Sequence, residues 1–193
     1  MPSQTREIQH VLIATMKRAA AALREADIEF MLGGGLAAWA RGGPPTDHDV
    51  DFYLREEDAE AALAAVETTG MRVERPPEEW LFKAYDGSTL VDLIFCPAGG
   101  PIEDAHFARA TSMEVGAQTL LVASIDDVLV TKLLALSEQE PNFQAVLELA
   151  RALREQFDWE FVRSCSGESP FARAFFTLVE ELGIVEPDRT AAA

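Results

Sequence analysis

The chain contains Leu32-Gly33-Gly34-Gly35-Leu36 and, after residues 36–48, the segment Asp49-Val50-Asp51-Phe52. Residues 28–32, apolar except for Glu29, predict a strand that stops at the three glycines, and residues 36–40 predict the start of a helix. A glycine turn at this place lets a ligand approach the backbone, whose free N–H groups suit an anion. A tight strand-to-helix turn explains the glycines equally well, so the triplet alone is weak evidence for a phosphate site.

The aspartates carry the stronger signal. Asp49 and Asp51 lie in a predicted strand, residues 49–54, where side chains two positions apart share a face. A third acid, Asp92, interrupts the apolar segment 90–95, where an unpaired charge is costly. If the two strands are neighbours, three carboxylates converge, and their repulsion favours a bound Mg²⁺ or Mn²⁺. The alternative is two solvent-facing strand residues and one hydrogen-bonded acid in the core.

The composition excludes several classes of protein. The 193 residues include 33 acidic and 16 basic side chains, a formal net charge of −17. That balance disfavours a broad grip on duplex DNA or on an anionic membrane surface. No segment approaches the ~20 apolar residues of a membrane span, and residues 1–10 lack the apolar core of a secretory signal. We therefore expect a cytoplasmic protein.

Hydrophobic periodicity predicts an α+β fold. We expect a small mixed β-sheet with flanking helices in residues 1–122, a helical region over residues 123–186 and a flexible tail over residues 187–193. Within the first part, Asp86-Gly87 predicts a hairpin between strands 80–85 and 89–95.

Taken together, the glycine turn, the Asp-Val-Asp-Phe segment and the later Asp92 resemble the signature of the DNA polymerase β-like nucleotidyltransferase superfamily. The segment 124–136 is similar to one in the minimal bacterial branch, which includes abortive-infection toxins. The resemblance implies a nucleotidyltransferase-type fold and Mg²⁺- or Mn²⁺-dependent transfer of NMP from an NTP. In that mechanism Asp49, Asp51 and Asp92 are the catalytic metal ligands.

The resemblance also implies contacts to the nucleotide phosphates. Gly34 and Gly35 offer backbone donors, and Lys132 is the cation in the later predicted helix. Ser124 has two interpretations: a capping box with Asp127, or a phosphate contact. For Lys132 the alternative is a solvated lysine that lies along the apolar surface of its helix.

Two residues that flank the loop before Asp49, Arg41 and His48, are further candidates for a triphosphate contact. A solvated loop residue is the alternative for each. The sequence leaves these interpretations open.

The acceptor of the nucleotide is not specified, so a small molecule, a protein side chain and a tRNA end all stay open. The alternative function is a catalytically degenerate member of the fold that acts as a binding or toxin–antitoxin partner. The turn lacks the serine of many superfamily members, and Asn142 stands where toxin relatives often carry an aspartate, which favours that alternative. Phosphate-ester hydrolysis at the same metals is a third interpretation.

Overall fold

The computed structural model describes residues 2–46 and 49–186, with side chains from residue 9 onward. His48 and the predicted tail, residues 187–193, lie outside the described residues. The α-helices of the described part are α1 (Pro2–Glu25), α2 (Gly34–Ala40), α3 (Ala59–Glu67), α4 (Asp104–Arg109), α5 (Ile125–Leu134), α6 (Phe143–Leu153), α7 (Trp159–Ser166) and α8 (Pro170–Glu181). Its strands are β1 (Phe30–Leu32), β2 (Asp49–Leu54), β3 (Arg72–Glu74), β4 (Leu81–Asp86), β5 (Thr89–Ile94), β6 (Thr111–Val115) and β7 (Gln118–Val122).

All seven strands form one mixed sheet in the order β3-β4-β5-β2-β1-β7-β6. The pairs β2–β5 and β1–β7 are parallel, and the other neighbours are antiparallel. A parallel pair requires a crossover between its strands, and the chain from β2 to β5 makes it through α3. The predicted α+β class, a mixed sheet with flanking helices, is confirmed.

Burial alternates over residues 49–52, the start of β2, as the sequence pattern predicts, and Tyr53 and Leu54 are both buried. Val50 and Phe52 are fully buried, and Phe52 packs edge-on against Phe30 with 5.2 Å between ring centroids. Asp49 and Asp51 alternate with them and therefore face the other side of the sheet. The strand thus anchors the core with one face and presents two carboxylates on the other.

The C-terminal helices continue the same hydrophobic core. Phe175 and Phe176 of α8 are buried, and α5 contacts α2 as well as α7 and α8. The predicted boundary between residues 122 and 123 falls between β7 and α5, and a division into two domains there stays a prediction. Within residues 2–46 and 49–186, no helix has both the length and the apolar character needed to cross a bilayer.

The start of α2 differs from the prediction. The helix begins at Gly34, two residues before the expected Leu36, and Gly33 is its N-cap. Glycine weakens a helix interior, so the pattern favoured a later start, but tertiary contacts of the turn override that preference.

The cap of α5 also differs from the predicted capping box. Ser124 Oγ accepts a hydrogen bond from the Asp126 N–H at 3.2 Å, so Ser124 is the N-cap. The expected return bond from Asp127 is wrong, because that carboxylate pairs with Arg109 of α4, at 2.8 Å from Nη2 and 3.0 Å from Nε. A buried carboxylate gains more from a guanidinium than from one N–H group, and Asp127 is only 7% exposed.

We expect Asp127→Asn to lower the free energy of unfolding by about 1–3 kcal/mol, because the amide leaves Arg109 without its counter-charge. In a chain of this size each kcal/mol lowers Tm by roughly 2–4 °C, and calorimetry measures the shift. The control is Glu138→Gln, the same type of change at an exposed position. Equal Tm values for the two variants would contradict a stabilising role for the pair.

Candidate functional site

Three carboxylates meet on one face of the sheet. Asp51 of β2 and Asp92 of β5 are direct partners in the parallel register, and Asp49 lies two residues before Asp51 on the same face. One ligand oxygen from each residue lies within 4.8 Å of the others. The predicted adjacency of the two strands is therefore confirmed, and it brings the three candidate metal ligands together.

Burial and the neighbouring carboxylates disfavour the ionised forms of Asp51 and Asp92. Burial raises the pKa of the Asp51 carboxyl to about 7, and the nearby Asp49 and Asp92 add to the shift. Lys132 and a hydrogen bond from the Gly35 N–H act in the opposite direction. Burial likewise raises the pKa of Asp92, which is 8% exposed, with a further contribution from Asp49. The metal-free site thus contains more negative charge than its surroundings neutralise.

That donor set fits a divalent cation. Carboxylate oxygens are the ligands that Mg²⁺ and Mn²⁺ prefer, and three of them from two neighbouring strands leave coordination positions for a substrate. A cation would also relieve the repulsion that raises the pKa of Asp51.

Lys83 is a site residue that the sequence analysis missed. It lies opposite Asp92 in the β4–β5 hairpin, and its Nζ is 3.5 Å from Asp92 Oδ1. This ion pair lowers the pKa of Asp92 against the effect of burial. The predicted hairpin places these two strands side by side but does not give this pair, because a two-residue turn at Asp86-Gly87 would set Lys83 opposite Leu90. The observed turn is Gly87-Ser88, which pairs Asp86 with Thr89 and Lys83 with Asp92.

The glycine turn wraps around Asp51. The Gly33 N–H donates to the Asp51 carbonyl oxygen at 2.8 Å, and the Gly35 N–H donates to its carboxylate. Gly34 has φ +51°, and a Cβ on it would lie 1.6 Å from Asp51 Oδ2. Only glycine fits at this position. The turn therefore lies next to the acids. Its Gly35 N–H already donates a hydrogen bond to Asp51, so a contact between the turn and a phosphate stays a prediction.

Tyr53 is a second residue missed from the sequence, although it continues the two-residue alternation of Asp49 and Asp51. Its ring lies against the turn, since a Cβ on Gly33 would be 2.5 Å from Tyr53 Cε1. The phenol bonds to the Gly34 backbone and the Thr131 side chain, while burial and the Asp51 charge raise its pKa. Tyr53 thereby connects the glycine turn to α5.

Helix α5 places Lys132 near Asp51. Its charge acts on Asp51, and both residues line a cavity of about 530 Å³ together with Gly34 and Trp80. Lys132 also lines a second cavity, of about 280 Å³, with Asn142. The cation predicted from the later helix therefore lies beside the carboxylates and the glycine turn.

Two other residues that were predicted to contact the nucleotide, Arg41 and Ser124, form hydrogen bonds within the fold. Arg41 Nη2 donates to the carbonyl oxygens of Ala123 at 2.9 Å and Val122 at 3.3 Å, and burial lowers the pKa of this arginine. Ser124 caps α5 as described above. Neither residue is among those that line the cavity beside Asp51, so their nucleotide roles stay predictions, as does that of His48.

We expect Asp51→Asn to raise Tm in metal-free buffer containing a chelator. The folded state disfavours the charged form, since its pKa of about 7 exceeds the unfolded value. The penalty is absent below the unfolded pKa, at about pH 4, grows as the pH rises and is complete above about pH 8, so the gain should be small near pH 4 and reach about 1–3 kcal/mol near pH 8. Thermal unfolding at both pH values measures it, with exposed Glu57→Gln as the unaffected control. A Tm lowered at about pH 8 would contradict a strained carboxylate cluster.

We expect Gly34→Ala to displace the Asp51 carboxylate and to abolish its part in metal binding, because the new methyl group overlaps Oδ2. Gly183→Ala is the matched control, since its φ of +64° is similar but a Cβ there meets nothing within 4 Å. Titration with Mn²⁺, followed by the change in Tm, compares the two variants. Equal Mn²⁺ responses would mean that backbone strain alone explains the effect.

The described geometry can be compared with known proteins. No family model matches the sequence, and no curated protein matches it. Among solved structures, the antibiotic-resistance factor ANT(2'')-Ia in solution has a TM-score of 0.65 at 18% identity, covering 91% of this chain and 98% of that one. The crystal structure of ANT(2'')-Ia with adenylyl-2''-tobramycin has a TM-score of 0.62 at 18% identity, covering 84% and 98%. The lincomycin-bound lincosamide adenylyltransferase LnuA has 0.51 at 12% identity, covering 70% and 94%. At these identities the likeness shows a shared fold, which is that of nucleotidyltransferases.

Proposed function

We propose that this protein transfers a nucleoside monophosphate from an NTP to a hydroxyl group and releases pyrophosphate. The observation that carries the proposal is the convergence of Asp49, Asp51 and Asp92 beside a glycine turn and Lys132. The fold supports it, because the solved structures that share this fold include an adenylyltransferase and a complex with an adenylylated antibiotic.

Asp49, Asp51 and Asp92 are the residues that would hold Mg²⁺ or Mn²⁺. When bound, a divalent cation neutralises the charge of the nucleotide phosphates and of the departing pyrophosphate. The donor set consists of hard oxygen ligands, which suits these ions.

The chain's own groups position the reactants. Lys132 lies beside Asp51 and contacts the β- and γ-phosphates, while the Gly34-Gly35 backbone allows the triphosphate to approach closely. Asp92 accepts the proton of the acceptor hydroxyl. The hydroxyl oxygen attacks the α-phosphorus in line, and the bond from phosphorus to the pyrophosphate oxygen breaks.

Lys83 has a positioning role in this scheme. Its ammonium holds the Asp92 carboxylate from the neighbouring strand and limits the rise of the pKa of that group. Asp92 is therefore oriented without a contact from Lys83 to the substrate.

The acceptor is best supported as a small molecule, because ANT(2'')-Ia and LnuA were solved with adenylylated tobramycin and with lincomycin. A protein side chain and a tRNA end are alternative outcomes of the same experiment. Membership of the abortive-infection branch, pairing with an antitoxin, a preference for ATP and a cytoplasmic location stay predictions from the resemblance.

We expect the double variant Asp49→Asn/Asp51→Asn to lose Mg²⁺-dependent NTP binding and label transfer by at least about 100-fold, because it removes two of the three carboxylates that would hold the divalent cation. Calorimetry measures NTP binding, and α-labelled NTPs incubated with a cell lysate reveal a labelled acceptor. The matched control is Glu56→Gln/Glu57→Gln, which removes two neighbouring exposed acids from the surface.

Two results would contradict the enzyme. If wild type and the Asp49→Asn/Asp51→Asn variant bind Mg²⁺ and NTP equally well, the site is misassigned. If wild type binds the nucleotide but no acceptor is labelled, and a protein is captured tightly instead, the degenerate binding partner is the better interpretation.

A further inference from the structure

The cavity of about 530 Å³ extends beyond the proposed reaction centre. Asp51 and Lys132 line its charged end, and Trp80, immediately before β4, lines it as well. A volume of this size is typical of small-molecule sites. The mechanism above uses the charged end and leaves the remainder of the cavity without a role.

Trp80 has a large aromatic side chain that is partly exposed to solvent. Trp80 is 41% exposed. Among the described residues, the other large apolar side chains that are exposed are aliphatic: Val11, Leu178 and Leu182. A single exposed hydrophobic residue is common. This one differs because it also lines a cavity that contains a charged cluster.

The backbone holds Trp80 in place. Its carbonyl oxygen accepts hydrogen bonds from the N–H groups of Phe95 and Cys96, each at 3.1 Å. These bonds extend the β4–β5 pairing past the end of both strands. The backbone of Trp80 is thus held just beyond the end of the strand that carries Asp92.

The walls near Trp80 have little capacity for directional hydrogen bonds. Their side chains are apolar or small, and those on the strand and the loop after it are Ile94, Cys96, Pro97 and Ala98. The hydroxyls of Tyr53 and Thr131 bond to each other. A ligand at this end is therefore recognised through ring stacking and apolar contact.

We propose that Trp80 is the stacking platform for the nucleobase, and that this site accepts different bases with little discrimination. The proposal rests on the proposed nucleotidyl transfer. An NTP has a charged triphosphate at one end and a planar base at the other, which matches the cavity's charged residues and its exposed indole. Every base has a π-face, so stacking tolerates all of them. An aromatic ring of the acceptor has the same stacking chemistry, and the experiment separates the two sources.

The experiment measures nucleotide binding without an acceptor. Calorimetry with Mg²⁺ and ATP, GTP, CTP or UTP compares wild type with Trp80→Ala, Trp80→Leu and Trp80→Phe. We expect dissociation constants of the four nucleotides to agree within about tenfold, and Trp80→Ala and Trp80→Leu to weaken each by roughly 5–100-fold. Trp80→Phe keeps a ring and should bind nearly as wild type does. Inorganic tripolyphosphate, which has no base, should bind all four proteins equally.

A second readout does not depend on the stability of the Trp80 variants. Cys96 lines the cavity and is half-buried, whereas Cys165 is exposed, and both are free thiols. In the Cys165→Ser protein we expect Mg²⁺–NTP to slow alkylation of Cys96 by several-fold, and tripolyphosphate to have little effect.

The outcomes separate this inference from the function on which it rests. Absence of Mg²⁺-dependent NTP binding in wild type overturns the proposed function. Tight NTP binding that Trp80→Ala and Trp80→Leu leave unchanged, without protection of Cys96, overturns the stacking site and assigns the indole to the acceptor. A preference above about 100-fold for one base overturns the lack of discrimination, because stacking alone does not distinguish bases so strongly.

Discussion

The register of β2 against β5 is the constraint on which the site depends. It sets Asp51 directly beside Asp92, with Asp49 on the same face, so three like charges share a small, partly buried space. Such an arrangement is unfavourable, and burial, together with the charges of Asp49 and Asp92, raises the pKa of Asp51 to about 7. Functional sites commonly retain this type of local instability because the charge is needed for binding or chemistry.

Neighbouring elements partly offset the effect of burial and repulsion on the pKa values of Asp51 and Asp92. Lys83 pairs with Asp92 from the adjacent strand, Lys132 acts on Asp51 from α5, and the Gly35 N–H donates to the Asp51 carboxylate. Tyr53 then connects the glycine turn to α5. Three other elements, β4, α5 and α2, thus act on the cluster. The turn tolerates no side chain at Gly34 because a Cβ there would lie 1.6 Å from Asp51 Oδ2.

The net charge of −17 excludes fewer kinds of ligand than the composition alone indicates. Within residues 2–46 and 49–186, three acids converge on one site, and others pair locally with arginines, as Asp127 does with Arg109. A broad electrostatic grip on duplex DNA stays disfavoured. A nucleotide that reaches the acids through a divalent cation, Lys132 and an aromatic platform needs no general positive surface.

Much of the site followed from local patterns. Alternation in β2 places Asp49 and Asp51 on one face, and the predicted hairpin sets the strand of Lys83 beside the strand of Asp92, because both are local properties. The exact register was not predicted, since the observed turn is Gly87-Ser88 and not Asp86-Gly87. The pairing of β2 with β5 and the approach of α5 to Asp51 were accessible only as hypotheses, since they join segments distant in the chain. The pairing of Asp127 with Arg109 and the backbone contacts of Arg41 depended wholly on tertiary structure. Each of these side chains has several chemically reasonable partners, and only the packing of the elements selects the one that is within reach.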